Sequence, residues 1–239
     1  MPIFVDHQLQ EQIPRDIFDF PIAFYCDELA DLPNRAGPMH WHPCFEIATA
    51  QNGVLDYQVG QTHTILEPGD SIFVNPNMLH GIRQVSGMEP DHLPIIIFSG
   101  TVIASENSVI YQKYIQPILS CDSLPCVVFR HDSGLWKDVR QRINATYRAM
   151  REQSDCYELV VQRNICHVLE AIFRNFDSLP KSEASRVQLN TQVRLQKMLS
   201  YIYENYARTV TLADIAGAAN ISRSEAGRCF QSYLGYSPV

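Results

Sequence analysis

The feature that most constrains the fold of this chain is a change in the spacing of its apolar residues near position 132. Before that point the sequence consists of short β-compatible runs separated by glycine, proline and asparagine turn signals. These runs cover residues 45–50, 54–59, 62–66, 71–75 and 92–98. After that point apolar residues recur at the three- and four-residue spacing of helices. The sequence therefore predicts an α+β chain, with an all-β barrel or sandwich over residues 1–133 and helices afterwards.

Composition limits where such a chain can act. Hydrophobic residues make up 46% and charged residues 19% of the 239 positions, which allows two modest domains with real cores. No run of about eighteen apolar residues is present, and the first residues lack the basic and apolar regions of a signal peptide. We therefore expect a cytoplasmic protein that makes no membrane contact and keeps its cysteines reduced.

Residues 134–177 predict a pair of helices. The first has one apolar stripe that suits docking on a core, formed by Trp136, Val139, Ile143, Tyr147 and Met150. The second helix has its main stripe between residues 161 and 176, and a further stripe on a neighbouring face formed by Leu159, Cys166 and Phe173. The further stripe has two explanations, a contact with a second copy of the chain or deeper burial in one core.

The last quarter of the chain predicts a linker followed by a helix-turn-helix. Residues 178–190 are polar, contain a proline and lack apolar periodicity, as interdomain linkers do. Within residues 191–239, Thr191 opens a helix whose core face is Leu195, Met198, Leu199, Ile202 and Tyr206. Two short helices then follow, for which the predicted cap and turn residues are Thr211 with Asp214, Asn220, Ser222 and Gly235. Two short helices around a tight turn are typical of a DNA-binding unit.

Charge is distributed unevenly between the two ends of the chain. The whole chain carries a net charge of −7. Residues 178–239 contain seven basic and four acidic residues, so this segment is +3 and the remainder is −10. An acidic domain joined to a basic tail is weakly indicative of a sensor attached to a nucleic-acid contact.

The first half of the chain contains a cluster of residue types that bind metals. His40, His42 and Glu46 share one parity, so in an extended strand their side chains point to the same side, and His80 would come from another strand. Three imidazoles and a carboxylate suit Zn, Fe, Mn or Ni and leave positions open for a ligand. Three roles stay open: the four residues hold a divalent metal, they line the binding site of a small polar effector, or they only pack in the core. Trp41 and Tyr57 are candidates for stacking on a sugar ring.

Residues 211–238 resemble the first helix-turn-helix of the AraC/XylS-type regulators. The matching positions are Leu212, Ile215-Ala216, Ile221-Ser222, Arg228, Phe230, Leu234-Gly235 and Ser237-Pro238. The resemblance implies that Ser224 and Arg228 contact bases in the major groove, with Gly227 on the same face and Arg223 beside them. Gly227 departs from a base-reading position because it has no side chain. The family has a second helix-turn-helix after a long helix, and this sequence stops at Val239. A fragment and a naturally short product both explain that difference.

The pattern His40-x-His42-x3-Glu46-x6-Gly53, followed by Pro68-Gly69-Asp70, Pro76 and His80, resembles the two cupin motifs. A cupin barrel, or double-stranded β-helix, forms the sensor domain of many AraC-type regulators, so the two resemblances agree. Together they imply a homodimeric, ligand-responsive transcription regulator without enzymatic activity, whose effector is a sugar or another small polar metabolite. Two alternatives are a metal-dependent cupin enzyme and a truncated partner that dimerises without binding DNA.

Overall fold

A computed structural model of the chain describes residues 4–13, 20–29, 32–85, 92–181 and 184–238. The strands are β1 Ile22–Glu28, β2 Ala36–His40, β3 Phe45–Thr49, β4 Leu55–Val59, β5 Thr62–Leu66, β6 Ser71–Val74, β7 His80–Gln84, β8 His92–Phe98 and β9 Cys126–Phe129. The α-helices are α1 Gln116–Leu119, α2 Lys137–Glu152, α3 Tyr157–Arg174, α4 Ala184–Asn205, α5 Leu212–Ala218 and α6 Arg223–Leu234. Strands precede the long helices, which confirms the predicted α+β class.

The strands form two antiparallel sheets. One has the order β1-β8-β3-β6-β9 and the other the order β2-β7-β4-β5. Connections of two to five residues join the consecutive strands from β2 to β7, and the turn before β6 needs Gly69, whose φ of +91° is a conformation that L side chains rarely adopt. This arrangement confirms the barrel that the turn spacing allowed and the cupin-like fold that the motif resemblance implied.

The five-stranded sheet packs against α2 and α3. The stripe predicted on the first helix, from Trp136 to Met150, is buried in a core with Phe45, Phe73 and Phe129. Tyr147 also contacts the sheet directly, since its hydroxyl lies 2.8 Å from the Thr49 hydroxyl. On α3 the main stripe is buried, but Leu159 of the further stripe is 64% exposed. Cys166 and Phe173 are half-buried.

The first of the C-terminal helices begins earlier than predicted. Helix α4 starts at Ala184, whereas the sequence predicted a start at Thr191, so part of the predicted linker is helical. It ends at Asn205, and Tyr206, which was predicted to lie in the core, is 76% exposed. Leu195 and Met198 are buried as predicted. Within the part of the chain that the structure describes, no helix has both the length and the apolar composition needed to span a membrane.

The helix-turn-helix has the predicted local signals. Thr211 and Asp214 form a reciprocal capping box at the start of α5. Asn220 adopts a left-handed conformation in the turn, with φ of 54°. Ser222 caps α6, and Gly235 ends it with φ of 76°. These confirmed signals fix the angle at which α6 leaves the turn, and so fix which of its faces is presented to solvent.

Candidate metal centre and nucleic-acid interface

Four residues predicted from the sequence converge inside the barrel. His40 ends β2 and lies opposite His80, the first residue of β7, in the strand register. His42 follows in the connection to β3, and Glu46 is the second residue of β3. All four side chains are buried, and one ligand atom from each lies within 4.8 Å of the others. The fold therefore brings together the residue set that the motif spacing indicated.

The three imidazoles are oriented by the backbone. Each Nδ1 lies 2.8–3.0 Å from a carbonyl oxygen two residues away, those of Pro38, Cys44 and Met78 for His40, His42 and His80 respectively. An Nδ1–H that donates to a carbonyl leaves the lone pair of Nε2 facing the centre of the cluster. This is the arrangement that metal-binding histidines use, so the donor set and its orientation both fit a divalent ion.

Glu46 connects the histidines. Its Oε2 lies 3.2 Å from His42 Nε2 and 3.3 Å from His80 Nε2, while the Tyr57 hydroxyl donates to its Oε1. Burial alone would raise the pKa of Glu46, but the charge of His80 and the hydrogen bonds from His42 and His80 outweigh it and hold this pKa well below the ordinary value. Glu46 is therefore an anion inside the barrel, which favours a cation at its side.

The two facing histidines differ in charge. Burial, followed by the charge of His80, lowers the pKa of His40 to about 3, so His40 is neutral. Burial would lower the pKa of His80 as well, but Glu46 reverses the shift, and the pKa of His80 is raised above its ordinary value. A neutral His40 offers its Nε2 lone pair to a metal directly, whereas a metal at His80 competes with a proton that this ring holds more tightly than a free imidazole does.

A fifth polar group faces the cluster, and the sequence pattern gave no sign of it. Glu11 lies on the N-terminal segment, where its N–H donates to the Trp41 carbonyl at 2.9 Å. Its side chain is 9% exposed, and its Oε2 lies 3.8 Å from His40 Nε2 and 3.9 Å from His42 Nε2. The candidate centre thus has two carboxylates and three imidazoles.

The cluster opens on a small cavity with apolar walls. The cavity has a volume of about 40 Å³. Glu11, His40, Glu46, Tyr57 and His80 form its polar end. Leu29, Leu32, Leu93, Ile95 and Ile97 line the remainder. Tyr57 therefore faces the cavity as a hydrogen-bond donor, whereas Trp41 directs its indole N–H to the Gln8 carbonyl.

The predicted DNA-contacting residues lie on the solvent side of α6. Arg223, Ser224 and Arg228 are exposed, and a Cβ added at Gly227 would meet nothing within 4 Å. Their neighbour Glu225 accepts a hydrogen bond from Arg194 of α4 at 2.6 Å, which fixes α6 on α4. The opposite face of α6 is core, formed by Ala226, Cys229, Phe230 and Tyr233. The base-contact assignment stays a prediction that this exposure permits.

Comparison with known proteins gives matches for both halves of the chain. Residues 30–90, which include all four cluster residues, match the cupin domain family (Cupin_2). The chain is 22% identical over 235 residues to the HTH-type transcriptional regulator YdeC of Bacillus subtilis, covering 98% of this chain and 79% of that protein. It is also 23% identical over 206 residues to the HTH-type transcriptional regulator YbfI of the same organism, covering 84% of this chain and 67% of the relative.

A solved structure shares the fold. An apo variant of ToxT from Vibrio cholerae superposes with a TM-score of 0.51 over 91% of this chain and 95% of its own, at 8% identity. ToxT bound to (E)-4-(8-methylnaphthalen-1-yl)but-3-enoic acid gives a TM-score of 0.50 at the same identity. These likenesses concern the fold, and with the regulator relatives they agree with the architecture predicted from the two motifs.

Proposed function

We propose that this chain, an AraC-type transcription regulator with an N-terminal cupin domain, binds DNA through α6 and changes that binding when its buried cluster is occupied. One observation carries the proposal. The segment that ends in the cluster residue His80 is also built into the core of the DNA-binding half. The relatives named above are regulators, which supports the same function.

The connecting segment is Asn77–His80, defined here as the coupling segment. Leu79 is 1% exposed and belongs to the same apolar cluster as Leu195 and Met198 of α4. The amide of Gln192 on α4 accepts a hydrogen bond from the Leu79 N–H at 2.9 Å and donates one to the Asn77 carbonyl at 2.7 Å. Because this amide bonds to an N–H and to a carbonyl of the coupling segment, a shift of the segment is transmitted to α4.

The cluster is attached to the other side of the same segment. His80 lies beside Glu46, and its Nδ1 contacts the carbonyl of Met78. An ion or effector that draws the His80 ring inward therefore pulls on the backbone to which Gln192 is bonded. Binding at the cluster can change DNA affinity only if the two DNA-binding states hold the ligand differently, and the coupling segment gives a physical basis for that difference.

On the DNA side, α6 supplies the contacts. Arg228 has the geometry to donate two hydrogen bonds to a guanine edge, and Ser224 lies one turn earlier on the same exposed face. Arg223 lies in the first turn of α6, where phosphates are favoured. Gly227 lets the backbone approach the duplex closely, since no side chain stands between them.

The proposed ligand is a small molecule or a divalent metal ion in the barrel. ToxT has this fold and has been solved with an organic acid bound. A sugar ring, the organic candidate predicted from the sequence, needs more room than the cavity of about 40 Å³ offers. Binding of a sugar would require the N-terminal segment to move away from the barrel opening.

We propose that the active species is a homodimer in the cytoplasm. Leu159 on α3 is 64% exposed and lies at seven-residue spacing from Cys166 and Phe173, which line a mainly apolar groove together with Tyr114 and the 51% exposed Ile110. Burying that face against a second copy removes apolar area from water. Light scattering of wild type and Leu159→Glu tests this, because the charged variant should be monomeric.

A metal-dependent cupin enzyme is the second candidate, favoured by the same three histidines and carboxylate. The helix-turn-helix argues for regulation instead, since an enzyme has no use for an exposed α6 face. Turnover by the metal-loaded protein with no effect of the metal on DNA binding would favour the enzyme.

The DNA proposal is tested by fluorescence anisotropy with a labelled duplex taken from the region upstream of the chain's own gene. Arg228→Ala should weaken binding by about 5- to 150-fold, the equivalent of roughly 1–3 kcal/mol. Arg151→Ala, which removes an exposed arginine of α2, is the matched control and should leave binding unchanged. Two results together would contradict the assignment of α6 as the base-reading helix. Arg228→Ala would bind as tightly as wild type, and competitor duplexes of any sequence would displace the labelled DNA equally well.

A further inference from the structure

We infer that the effector is a divalent transition-metal ion itself, and that Glu11 completes its coordination as a fifth ligand and closes the site. The inference rests on the proposed function, because it names the ligand of the site described there. It goes beyond the cupin pattern, since Glu11 lies outside both motifs and comes from a different part of the chain.

The distances suit one shared ion. Two ligand atoms bound at about 2.1 Å are about 3.0 Å apart when they subtend a right angle and about 4.2 Å apart when they lie opposite each other. Glu46 Oε2 lies 3.2 and 3.3 Å from the Nε2 atoms of His42 and His80. Glu11 Oε2 lies 3.8 and 3.9 Å from those of His40 and His42. Each carboxylate is thus at the separation from two imidazoles that a common ion requires, and binding of the ion would draw Glu11 and the more widely spaced cluster atoms, which lie up to 4.8 Å apart, towards the centre.

The charges of the set also suit a divalent cation. Two carboxylates lie within reach of the imidazole nitrogens, and the surrounding walls are apolar. A divalent ion is attracted to carboxylate oxygens, and a low-dielectric shell strengthens that attraction. An organic anion would instead meet two like charges at the polar end of the cavity.

The N-terminal segment is fixed at the position this role needs. Trp41, which lies between the ligands His40 and His42, accepts a hydrogen bond from the Glu11 N–H and donates its own backbone N–H to the Leu9 carbonyl, both at 2.9 Å. The Asp6 carboxylate accepts backbone N–H bonds within the segment from Gln8 at 2.7 Å and Gln10 at 2.9 Å. The backbone that carries His40 and His42 is therefore hydrogen-bonded to the backbone that carries Glu11.

Closure has a chemical consequence. A catalytic metal site keeps at least one coordination position for water or substrate, whereas a structural or sensing site fills its positions with protein ligands. With Glu11 in place, five protein groups surround the centre, and the remaining cavity of about 40 Å³ has room for only a few water molecules. A five-coordinate ion, a state that Zn²⁺ can adopt, then has no exchangeable position for an organic ligand, so the ion itself is the signal.

Cobalt supplies the test, because Co²⁺ takes the same ligands as Zn²⁺ and its visible spectrum reports coordination. The protein is loaded with Co²⁺ and titrated with azide, a small anion that binds open metal positions. Wild type should bind one Co²⁺ and show no azide-dependent change. Glu11→Ala should still bind Co²⁺ and should gain an azide-dependent spectrum, because the substitution opens a position. Glu11→Gln, which keeps the side-chain shape, should bind Co²⁺ about 10- to 100-fold more weakly than wild type.

Glu67→Gln is the control, since this carboxylate is 61% exposed and distant from the cluster. It should match wild type in both Co²⁺ affinity and spectrum. An azide response in wild type, no Co²⁺ binding by wild type, or unchanged Co²⁺ affinity in Glu11→Gln would each overturn the closed site. A closed site whose occupancy leaves the dissociation constant for DNA unchanged would overturn the effector role. DNA binding by the chelator-treated protein is measured separately, so failure of the DNA-binding proposal is distinguishable from failure of this one.

Discussion

Removing the Gln192 amide tests whether the coupling segment connects the two halves. Gln192→Leu keeps most of the side-chain volume but loses both hydrogen bonds, those from the Leu79 N–H and to the Asn77 carbonyl. Gln192 is 5% exposed, so both backbone groups lose their partner at a site that water hardly reaches. Each stranded backbone group costs about 1–3 kcal/mol, so the two together give a loss of roughly 2–6 kcal/mol from this contact.

A coupling free energy between two sites is itself typically about 1–3 kcal/mol, so a loss of this size is enough to abolish it. The assay is anisotropy of labelled DNA with the metal-loaded and the chelator-treated protein, for wild type and variant. In wild type the two dissociation constants should differ by about tenfold or more, and in Gln192→Leu their ratio should approach one. Metal affinity should stay within a few-fold of wild type, because the amide does not touch the cluster.

Gln196→Leu is the matched control, since it makes the same change one turn further along α4, away from the coupling segment. It should keep the wild-type ratio. Both variants should be folded as judged by circular dichroism. If Gln192→Leu then kept the wild-type ratio of the two DNA dissociation constants, the signal would not pass through the Gln192 amide.

Two further predictions concern stability, measured by urea unfolding. Asp70 is buried and accepts hydrogen bonds from His131, Arg130 and the Glu67 N–H, and although burial would raise its pKa, these bonds hold the pKa below the ordinary value of 3.8. Asp70→Asn should therefore cost about 1.5–3 kcal/mol near neutral pH. A carboxyl with a depressed pKa gives its full stabilisation only above its pKa in the unfolded chain. The difference in unfolding free energy between wild type and Asp70→Asn should therefore shrink as the pH falls through 3.8 and below. A difference that stays constant with pH would contradict this. Thr211→Ala removes the α5 cap and should cost about 1 kcal/mol, whereas Thr209→Ala in the preceding connector should cost close to nothing.

The helix-turn-helix was predictable in detail because its determinants are local. A capping box, a left-handed asparagine and a terminal glycine each depend on residues within four positions of one another. The start of α4 was missed for the opposite reason. Residues 184–190 show no apolar stripe of their own, so their sequence gives no periodic signal of the helix to which they belong.

The cluster was predictable in membership but not in geometry. The expectation placed His40 and His42 on one strand, but β2 ends at His40, and His42 reaches the centre from the connection to β3. Glu11 was not predictable, because its approach depends on a backbone pairing with Trp41 thirty positions later in the chain. Such long-range pairings leave no periodic signal in the residues that make them.

The most direct test of the account is the affinity of the protein for Co²⁺, measured by chelator competition in the absence of DNA and again with saturating DNA. Linkage requires that DNA change the affinity for the ion by the same factor by which the ion changes the affinity for DNA. The account predicts a change of about tenfold or more in wild type. One and the same Co²⁺ affinity with and without DNA would contradict the claim that the barrel cluster and α6 act on each other.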